Sequence, residues 1–276
     1  MFEIIERKMI VPNLHSLTVK APDIAEEIQP GQFVIVIPTE NHERIPLSIA
    51  DWDIEQGTLT MIFMEVGSAT GKLAALNPGE NLSSIVGPLG RPTVIQKFGK
   101  VVCIGGCYGI GSIYPVVRAM HEAGNEVITI IEGRSNNLLY WENKLKKCST
   151  KFISLTRDGI LGVKGHIENS VDYLESKGIV PDRVIANGCT TMVYKATKAY
   201  KQFGVPIIVS LNTIMIDGTG MCGVCRVTVD GEMKFACVDG PDFDGRLVDW
   251  EELSQRRKQY INEEAFLVHN SGCGGF

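Results

Sequence analysis

Residues 101–111 read Val-Val-Cys-Ile-Gly-Gly-Cys-Tyr-Gly-Ile-Gly, an apolar strand that leads directly into a glycine-rich turn. Glycines between a strand end and a helix N-terminus let backbone amides approach a diphosphate group. Tight strand-to-helix turns need glycine in any case, so this turn alone is a weak indication of nucleotide binding. Its interpretation depends on the alternating strands and helices that follow it in the sequence.

From Gly99 onward, apolar strand-like runs alternate with amphipathic helical ones. The predicted strands are Val101–Ile104, Val127–Ile131, Phe152–Leu155, Arg183–Ala186 and Ile207–Leu211. The predicted helices are Ile113–Ala123, Asn137–Lys147, Ile167–Ser176 and Thr191–Phe203. Alternating elements of these lengths indicate a parallel sheet with crossover helices.

Upstream, the chain to about Ile95 consists of short β segments with one helical stretch, Thr70–Leu76. The predicted strands are Phe2–Ile10, Leu17–Lys20, Gln32–Ile37, Leu47–Ile49, Leu59–Glu65 and Leu82–Val86. Turn residues separate them at Pro30-Gly31, Glu55-Gln56-Gly57 and Asn77-Pro78-Gly79. This spacing predicts a small antiparallel barrel.

Downstream, residues 212–237 are rich in glycine and cysteine and end in a predicted hairpin around Asp230-Gly231. A charged helix is predicted at Trp250–Tyr260, followed by a loose tail. The length of 276 residues favours about two domains. The pattern predicts a barrel domain at 1–97, an α/β domain at 98–211 and a cysteine-containing segment at 212–276.

Composition narrows the class of protein. Hydrophobic residues at 44% and charged residues at 21% predict folded domains. The 27 basic and 32 acidic residues give a net charge of −5, which makes nucleic acid an improbable partner. A charged N-terminus and the lack of any apolar run of ~18 residues argue against a signal peptide or a membrane span. Eight cysteines are too few for a disulfide scaffold and are expected as thiols in the cytoplasm.

Asp217, Cys222, Cys225 and Cys237 form a D-x4-C-x2-C-x11-C pattern in a glycine-rich loop. Glycine permits the positive φ angles that turn amide hydrogens toward sulfur. Such a set could hold zinc or a [2Fe-2S] cluster, and spacing alone does not decide between them. Unliganded thiols at a turn are the less favoured interpretation, because this is an uneconomical way to build a turn.

The run Asp217–Arg226 resembles the small subunit of the NADH-dependent reduced ferredoxin:NADP oxidoreductases and of related archaeal sulfide dehydrogenases. The resemblance covers essentially the whole chain. It implies that Asp217, Cys222, Cys225 and Cys237 ligate a [2Fe-2S] cluster. The electron-transfer subunit of dihydroorotate dehydrogenase is similar over the same span but has cysteine in place of Asp217.

The barrel is similar to the FAD-binding domains of ferredoxin reductases at two places. Arg44-Ile45-Pro46-Leu47-Ser48 resembles the motif that places an arginine on the flavin diphosphate and a hydroxyl near flavin N5. Phe63–Thr70 resembles the second flavin segment, where small residues open a helix whose free amides meet phosphate. The resemblance implies flavin contacts at Arg44, Pro46, Leu47, Ser48, Ile62, Phe63, Met64, Gly67, Ala69 and Thr70.

The α/β domain resembles the nicotinamide-nucleotide domain of the same family. Its implied contacts are Gly105, Gly106, Gly109, Gly111, Glu132, Arg134, Gly188 and Cys189. A glutamate at the end of the second strand favours a ribose hydroxyl and an arginine favours a 2′-phosphate. The Glu132-Gly133-Arg134 sequence therefore leaves NAD(H) and NADP(H) open.

The resemblance implies an electron-transfer subunit in which NAD(P)H reduces FAD and FAD passes electrons to the cluster. It also implies a large flavoprotein and iron–sulfur partner, in a heterodimer or higher complex that couples NADH, NADPH and ferredoxin by electron bifurcation. Two alternatives stay open: the dihydroorotate dehydrogenase subunit and a zinc-stabilised, non-enzymatic binding module. No acid or base residue is assigned, since hydride transfer needs none and no histidine stands at catalytic or metal spacing from a carboxylate in the sequence. The tail, Asn262–Phe276, is expected to dock on the partner.

Overall fold

The computed structural model describes residues 2–259, so the tail and its expected role lie outside the described residues. The N-terminal part is a nearly closed, seven-stranded antiparallel sheet in the order β6-β1-β2-β5-β4-β3-β7. Its strands are β1 (Phe2–Val11), β2 (Leu14–Lys20), β3 (Phe33–Ile37), β4 (Ile45–Asp53), β5 (Thr58–Met64), β6 (Asn81–Leu82) and β7 (Ser84–Leu89). Two helices accompany it, α1 (Pro22–Glu27) and α2 (Ser68–Ala75). The predicted barrel is confirmed.

Strand alternation sorts the side chains of the barrel onto two faces. Leu17, Met61 and Phe63 point into the barrel and are buried in its core. Ala50 and Ile62 point outward and are equally buried, because they pack with residues of the second sheet's helices. The outer face of β4 and β5 is therefore an internal surface of the protein.

The second sheet has the order β11-β10-β9-β8-β12-β13-β16. It is parallel except for its last strand, β16 (Asp242–Asp244). The strands are β8 (Lys100–Gly106), β9 (Glu126–Gly133), β10 (Lys151–Thr156), β11 (Val163–Lys164), β12 (Arg183–Asn187) and β13 (Ile207–Ser210). The helices are α3 (Gly109–Glu122), α4 (Glu142–Lys147), α5 (Asn169–Ser176) and α6 (Thr190–Tyr200). The predicted parallel sheet with crossover helices is confirmed.

The C-terminal part contains a hairpin of β14 (Arg226–Val229) and β15 (Glu232–Phe235), then β16 (Asp242–Asp244) and α7 (Trp250–Arg257). Strand β16 pairs antiparallel with β13, so the segment after residue 212 adds an edge strand to the parallel sheet. None of the helices described in residues 2–259 is long and apolar enough to cross a membrane.

Several elements differ from the sequence prediction. The helix predicted at 137–147 is divided into a 3-10 turn, Asn136–Leu138, and α4, because Trp141 adopts a left-handed φ of 55° that starts the helix afresh. The strand predicted at Leu82–Val86 is two strands, β6 and β7. The short helix α1 and the edge strands β11 and β16 are not predicted at all, because they are short and the two strands depend on pairing with β10 and β13.

Candidate functional site

The strand order of the parallel sheet creates a crevice between β8 and β12. The chain leaves these neighbouring strands toward opposite sides of the sheet, and ligands of open α/β sheets bind at such a point. The loops at the carboxyl ends of these strands contain Gly105–Gly111 and Gly188–Cys189. They touch: a Cβ atom added to Gly109 would lie 2.1 Å from the carbonyl oxygen of Asn187 and 2.6 Å from Cα of Gly188. The structure thus brings the two predicted nucleotide loops together.

A buried tyrosine holds the glycine-rich loop in shape. The hydroxyl of Tyr140 accepts a hydrogen bond from the amide of Gly111 at 2.9 Å and donates to the carbonyl oxygen of Cys107 at 2.9 Å. Cys107 has a φ of 54°, an uncommon conformation for a residue other than glycine. Sequence reasoning missed Tyr140, whose only signal is an aromatic residue shortly after the second strand.

The two residues predicted to contact the ribose are placed differently. Arg134 is exposed, and its charge reaches the thiol of Cys107. Glu132 is only 8% exposed and faces Arg157 and His166, with its Oε1 atom 3.6 Å from Nδ1 of His166. Burial raises the pKa of Glu132, while these two neighbours oppose that effect. Glu132 is therefore engaged within the protein.

The first flavin motif lies at the junction of the barrel and the parallel sheet. Leu47 points into the barrel core, whereas Ser48 is exposed on the outer face, two residues before Ala50, which packs with α3. Arg44 and Pro46 flank it at the start of β4, and Arg44 is exposed. The hydroxyl of Ser48 is thus exposed on the face of β4 that packs with α3, and the guanidinium of Arg44 is exposed just before the strand.

The second flavin segment follows β5 and opens α2. The hydroxyl of Thr70 accepts hydrogen bonds from the amides of Val66 and Gly67, both at 3.0 Å. A Cβ atom added to Gly67 would meet no heavy atom within 4 Å, so this turn borders open space. Ala69 is buried, and the amides of residues 68–70 precede the first intrahelical hydrogen bond, which the amide of Gly71 donates to the carbonyl oxygen of Gly67. The turn is suited to binding an anion.

The residues of β5 divide between two environments. Ile62 packs against α3, where a Cβ atom added to Gly111 would lie 2.4 Å from its Cδ1 atom. Met64 packs on the same cluster. Phe63 instead lies in the barrel core, with its ring 5.3 Å from that of His15. The side chain of Phe63 is thus turned away from the junction.

An ion-pair network fastens the junction. Asp51 accepts a hydrogen bond from Arg118 of α3 at 3.0 Å and another from Lys144 of α4. The guanidinium of Arg118 lies 4.8 Å from the centre of the Trp52 ring. Strand β4, which presents Ser48, is therefore fixed to the helix that begins at the glycine-rich loop.

The cysteine loop gathers its thiols under backbone amides. Cys225 and Cys237 are buried, with their sulfur atoms 3.2 Å apart. Cys222 is exposed, and the amides of Val224 and Asp217 donate to its sulfur, which lowers the pKa of this thiol. Burial raises the pKa of Cys237 to about 12 in the absence of a metal, although the amide of Gly220 donates to it. Amides directed at sulfur are what a cluster of thiolate ligands requires.

Asp217 lies beside these cysteines, and its charge partly opposes the lowering of the pKa of Cys222 by the backbone amides. Its Oδ2 atom accepts hydrogen bonds from the hydroxyl of Thr219 at 2.5 Å, the amide of Thr219 at 2.8 Å and the amide of Met221 at 3.2 Å. Within residues 2–259, Oδ1 has no such partner. No three His, Cys, Asp or Glu side chains of the described chain surround one point as closely as a single metal ion would need.

The cysteine loop also adjoins the barrel. Gly218, with a φ of 85°, packs closely on the barrel, since an added Cβ atom would lie 2.9 Å from both Ile35 of β3 and Leu89 of β7. The charge of Arg44 contributes to lowering the pKa of Asp217. The arginine of the first flavin motif and the aspartate of the cysteine loop are therefore neighbours.

Two histidines lie against carboxylates that are distant in sequence. His15 pairs with Glu65 at 3.1 Å, and His166 lies 3.6 Å from Glu132. These partners are 50 and 34 residues apart, which is why spacing along the chain does not reveal them. His15 is 2% exposed and lies inside the barrel.

Comparison with known proteins matches this arrangement. Residues 212–249 match the family model described as the iron–sulfur cluster binding domain of dihydroorotate dehydrogenase B. A chain in a solved structure of NADH-dependent reduced ferredoxin-NADP oxidoreductase, reported in connection with flavin-based electron bifurcation, superimposes with a TM-score of 0.92. It shares 40% sequence identity, and the match covers 98% of this chain and 97% of that one.

Two curated relatives extend the match to almost the full length. The electron transfer subunit of dihydroorotate dehydrogenase B from Geobacillus thermodenitrificans is 26% identical over 249 residues, 87% of this chain and 94% of the relative. The Thermotoga maritima homolog of that subunit is 41% identical over 262 residues, 95% of this chain and 92% of the relative. These matches confirm the resemblance seen in the sequence. With its barrel, parallel sheet and cysteine loop in the order that these relatives share, the chain belongs to the family of the dihydroorotate dehydrogenase B electron transfer subunit.

Proposed function

We propose that the chain is the flavin and iron–sulfur subunit of an oxidoreductase complex, in which it transfers electrons between NAD(P)H, FAD and a [2Fe-2S] cluster. Its partner is a large flavoprotein and iron–sulfur subunit, in a complex that couples NADH, NADPH and ferredoxin by electron bifurcation. The 40% identity to a chain of NADH-dependent reduced ferredoxin-NADP oxidoreductase supports this assignment. We also propose that 1–97, 98–211 and 212–276 act as FAD-binding, nucleotide-binding and cluster-binding units of a cytoplasmic protein.

One observation carries the proposal: three sites adjoin. The outer face of β4, with Ser48, lies against α3, which begins at the glycine-rich loop of the crevice. The cysteine loop packs on the same barrel through Gly218, with Arg44 beside Asp217. A flavin bound at the junction is thus next to the nucleotide on one side and to the cysteines on the other.

Different residues of the chain bind different parts of FAD. Arg44 and the start of α2, including Gly67 and Thr70, bind the FAD diphosphate through charge and free amides. Ser48 presents its hydroxyl to the flavin ring edge near N5. Pro46, Ile62 and Met64 shape the apolar wall, and Leu47 and Phe63, whose side chains lie in the barrel core, act through their backbone.

In the crevice, Gly105, Gly106, Gly109 and Gly111 let the backbone approach the nucleotide diphosphate, and Gly188 and Cys189 border the nicotinamide. Glu132 and Arg134 stand at the adenosine end. FAD, when bound, exchanges electron pairs with the nicotinamide and single electrons with the cluster. The protein excludes water and sets distances, and no side chain is assigned to proton transfer.

The two alternative functions are disfavoured for different reasons. A zinc-stabilised binding module is disfavoured, because the family model that matches residues 212–249 is an iron–sulfur one. The dihydroorotate dehydrogenase subunit shares the chemistry, but the true subunit from Geobacillus is only 26% identical. Asp217 also stands where the resemblance implies a cysteine in that subunit.

The function is tested on protein purified without air. We expect a visible spectrum with flavin and iron–sulfur bands, release of FAD rather than FMN by acid, and bleaching of the flavin by NADH or NADPH. Co-expression with a large flavoprotein partner should retain both chains in one complex. A colourless, zinc-containing preparation would contradict the proposal, and so would a folded protein that releases FMN or no flavin.

Asp217 offers a sharper test of the cluster's ligands. If its free Oδ1 atom binds iron, Asp217→Cys should keep the cluster but change its potential and its electron paramagnetic resonance spectrum, because thiolate is a softer donor than carboxylate. Asp217→Ala should make the cluster labile, with most of its iron lost on gel filtration. If Asp217 only accepts hydrogen bonds from the Thr219 turn, the potential of Asp217→Cys stays that of the wild type.

A further inference from the structure

The last helix of the described chain carries an arginine to the nucleotide crevice. Arg257 lies at the end of α7, and its Nη1 atom donates a hydrogen bond to the hydroxyl of Thr190. Thr190 is the first residue of α6 and directly follows Cys189. A residue that is 67 positions away in sequence thus reaches one of the two loops that form the crevice.

The same guanidinium also faces the other loop. Tyr108 belongs to the glycine-rich turn, where burial raises the pKa of its phenol, and the positive charge of Arg257 acts against that rise. Arg257 therefore contacts the loop after β12 directly, and its charge reaches a side chain of the loop after β8. Arg134 is a further exposed cation whose charge reaches this turn, through Cys107.

Helix α7 is firmly placed, so the position of Arg257 is not accidental. Asp249 caps the helix by accepting from the amides of Glu251 and Glu252, and Leu253 is 1% exposed. The ring of Trp250 lies 5.3 Å from that of Tyr194 on α6. These contacts fix α7 against α6 without any need for Arg257.

The guanidinium has donors to spare. An arginine carries five N–H donors, and the hydrogen bond to Thr190 uses one of them. Arg257 is exposed, so the remaining donors are open to a ligand. In a nicotinamide nucleotide, the diphosphate is the group that always carries negative charge, and it binds between the ends of strands and the starts of helices in this type of fold.

We infer that Arg257 is a nucleotide-binding residue whose guanidinium donates to the diphosphate of NAD(P)H in the crevice. The inference rests on the proposed function and extends the nucleotide site to the C-terminal helix. Arginine is suited to this role because its planar fork pairs with phosphate oxygens in two parallel hydrogen bonds. The rival explanation is that Arg257 only ties α7 to α6 through Thr190.

The test measures equilibrium binding of ADP-ribose to the full chain by calorimetry, since this ligand has the diphosphate but no nicotinamide and its binding does not depend on turnover. Arg257→Gln should bind ADP-ribose about tenfold to a hundredfold more weakly than the wild type, as expected for a lost charge-assisted hydrogen bond. Lys258→Gln, which removes an equal charge one residue away, should bind within about twofold of the wild type. Arg257→Lys, which keeps the charge but not the fork, should be intermediate.

The outcomes separate the explanations. Wild-type affinity in Arg257→Gln, or in Arg257→Lys should the glutamine variant not fold, would overturn the inference. Thr190→Val removes the hydrogen bond between α7 and α6, so it should affect the melting temperature more strongly than the affinity for ADP-ribose. If Thr190→Val and Arg257→Gln instead lose the same affinity and the same stability, Arg257 only ties α7 to α6. If the wild-type chain itself binds no ADP-ribose, the proposed function fails and not just the role of Arg257.

Discussion

Replacing Cys225 by alanine is expected to remove the [2Fe-2S] cluster almost completely while FAD stays bound. The sulfur atom of Cys225 is buried beside that of Cys237 at 3.2 Å, so no solvent ligand can easily take its place. The flavin motif on the outer face of β4 does not involve this thiol. Iron analysis and the visible spectrum should show near-zero iron per chain against an unchanged flavin band.

The matched control is Cys148→Ala. Cys148 is also a free thiol, but it lies after α4 and contributes to neither of the two bound groups. It should keep iron, flavin and electron transfer to the partner at wild-type levels. A Cys225→Ala protein that keeps its iron and its paramagnetic spectrum would show that the cluster is held elsewhere.

The periodic parts of the fold were predictable because local chemistry determines them. The central strands β8, β9 and β12 are buried on both faces, so most of each strand reads as a continuous apolar run. The barrel strands alternate and are bounded by turn residues. By contrast, β16 is a three-residue edge strand that exists only through its pairing with β13.

The candidate site was predictable where its residues are consecutive and not where they come together from distant segments. The cysteine loop is a local pattern, because the glycines and the amides that turn toward sulfur lie within a few residues. Other contacts join residues that are distant in sequence, so no local pattern reveals them; these are the contacts of Tyr140, of Arg257 and of the pair of His15 and Glu65. The burial of Glu132 beside Arg157 and His166 depends on a loop beyond β10, which a reading of the strand end alone does not include.

Gly109→Ala is expected to abolish nucleotide binding and to destabilise the protein, while the flavin and the cluster stay bound. A methyl group at this position would lie 2.1 Å from the carbonyl oxygen of Asn187, 2.4 Å from its carbonyl carbon and 2.6 Å from Cα of Gly188. All three are backbone atoms and cannot rotate away. The two loops of the crevice would have to separate, and the amides that meet the diphosphate would move with them.

Overpacking of a close contact costs about 1–3 kcal/mol, and a clash of the new methyl group with backbone atoms lies at the upper end of that range. Denaturant unfolding should therefore show a lower midpoint, and calorimetry should show ADP-ribose affinity at least about a hundredfold weaker. Gly71→Ala is the control, because its added Cβ atom meets only Oε1 of Glu65, at an ordinary 3.8 Å, and alanine favours helix α2.

The same substitution also shows whether glycine is needed at position 109 because the two loops approach closely or because of its backbone conformation. Gly109 opens α3 and is not among the glycines with positive φ in the described chain, so alanine can adopt its backbone angles and the clash is the sole cause of the loss. Gly109→Ser should then behave like Gly109→Ala, because both add the same Cβ atom. If either variant binds ADP-ribose with wild-type affinity, the two loops do not need to touch, and the diphosphate must be held by side chains such as Arg134 and Arg257 and not by the backbone of the crevice.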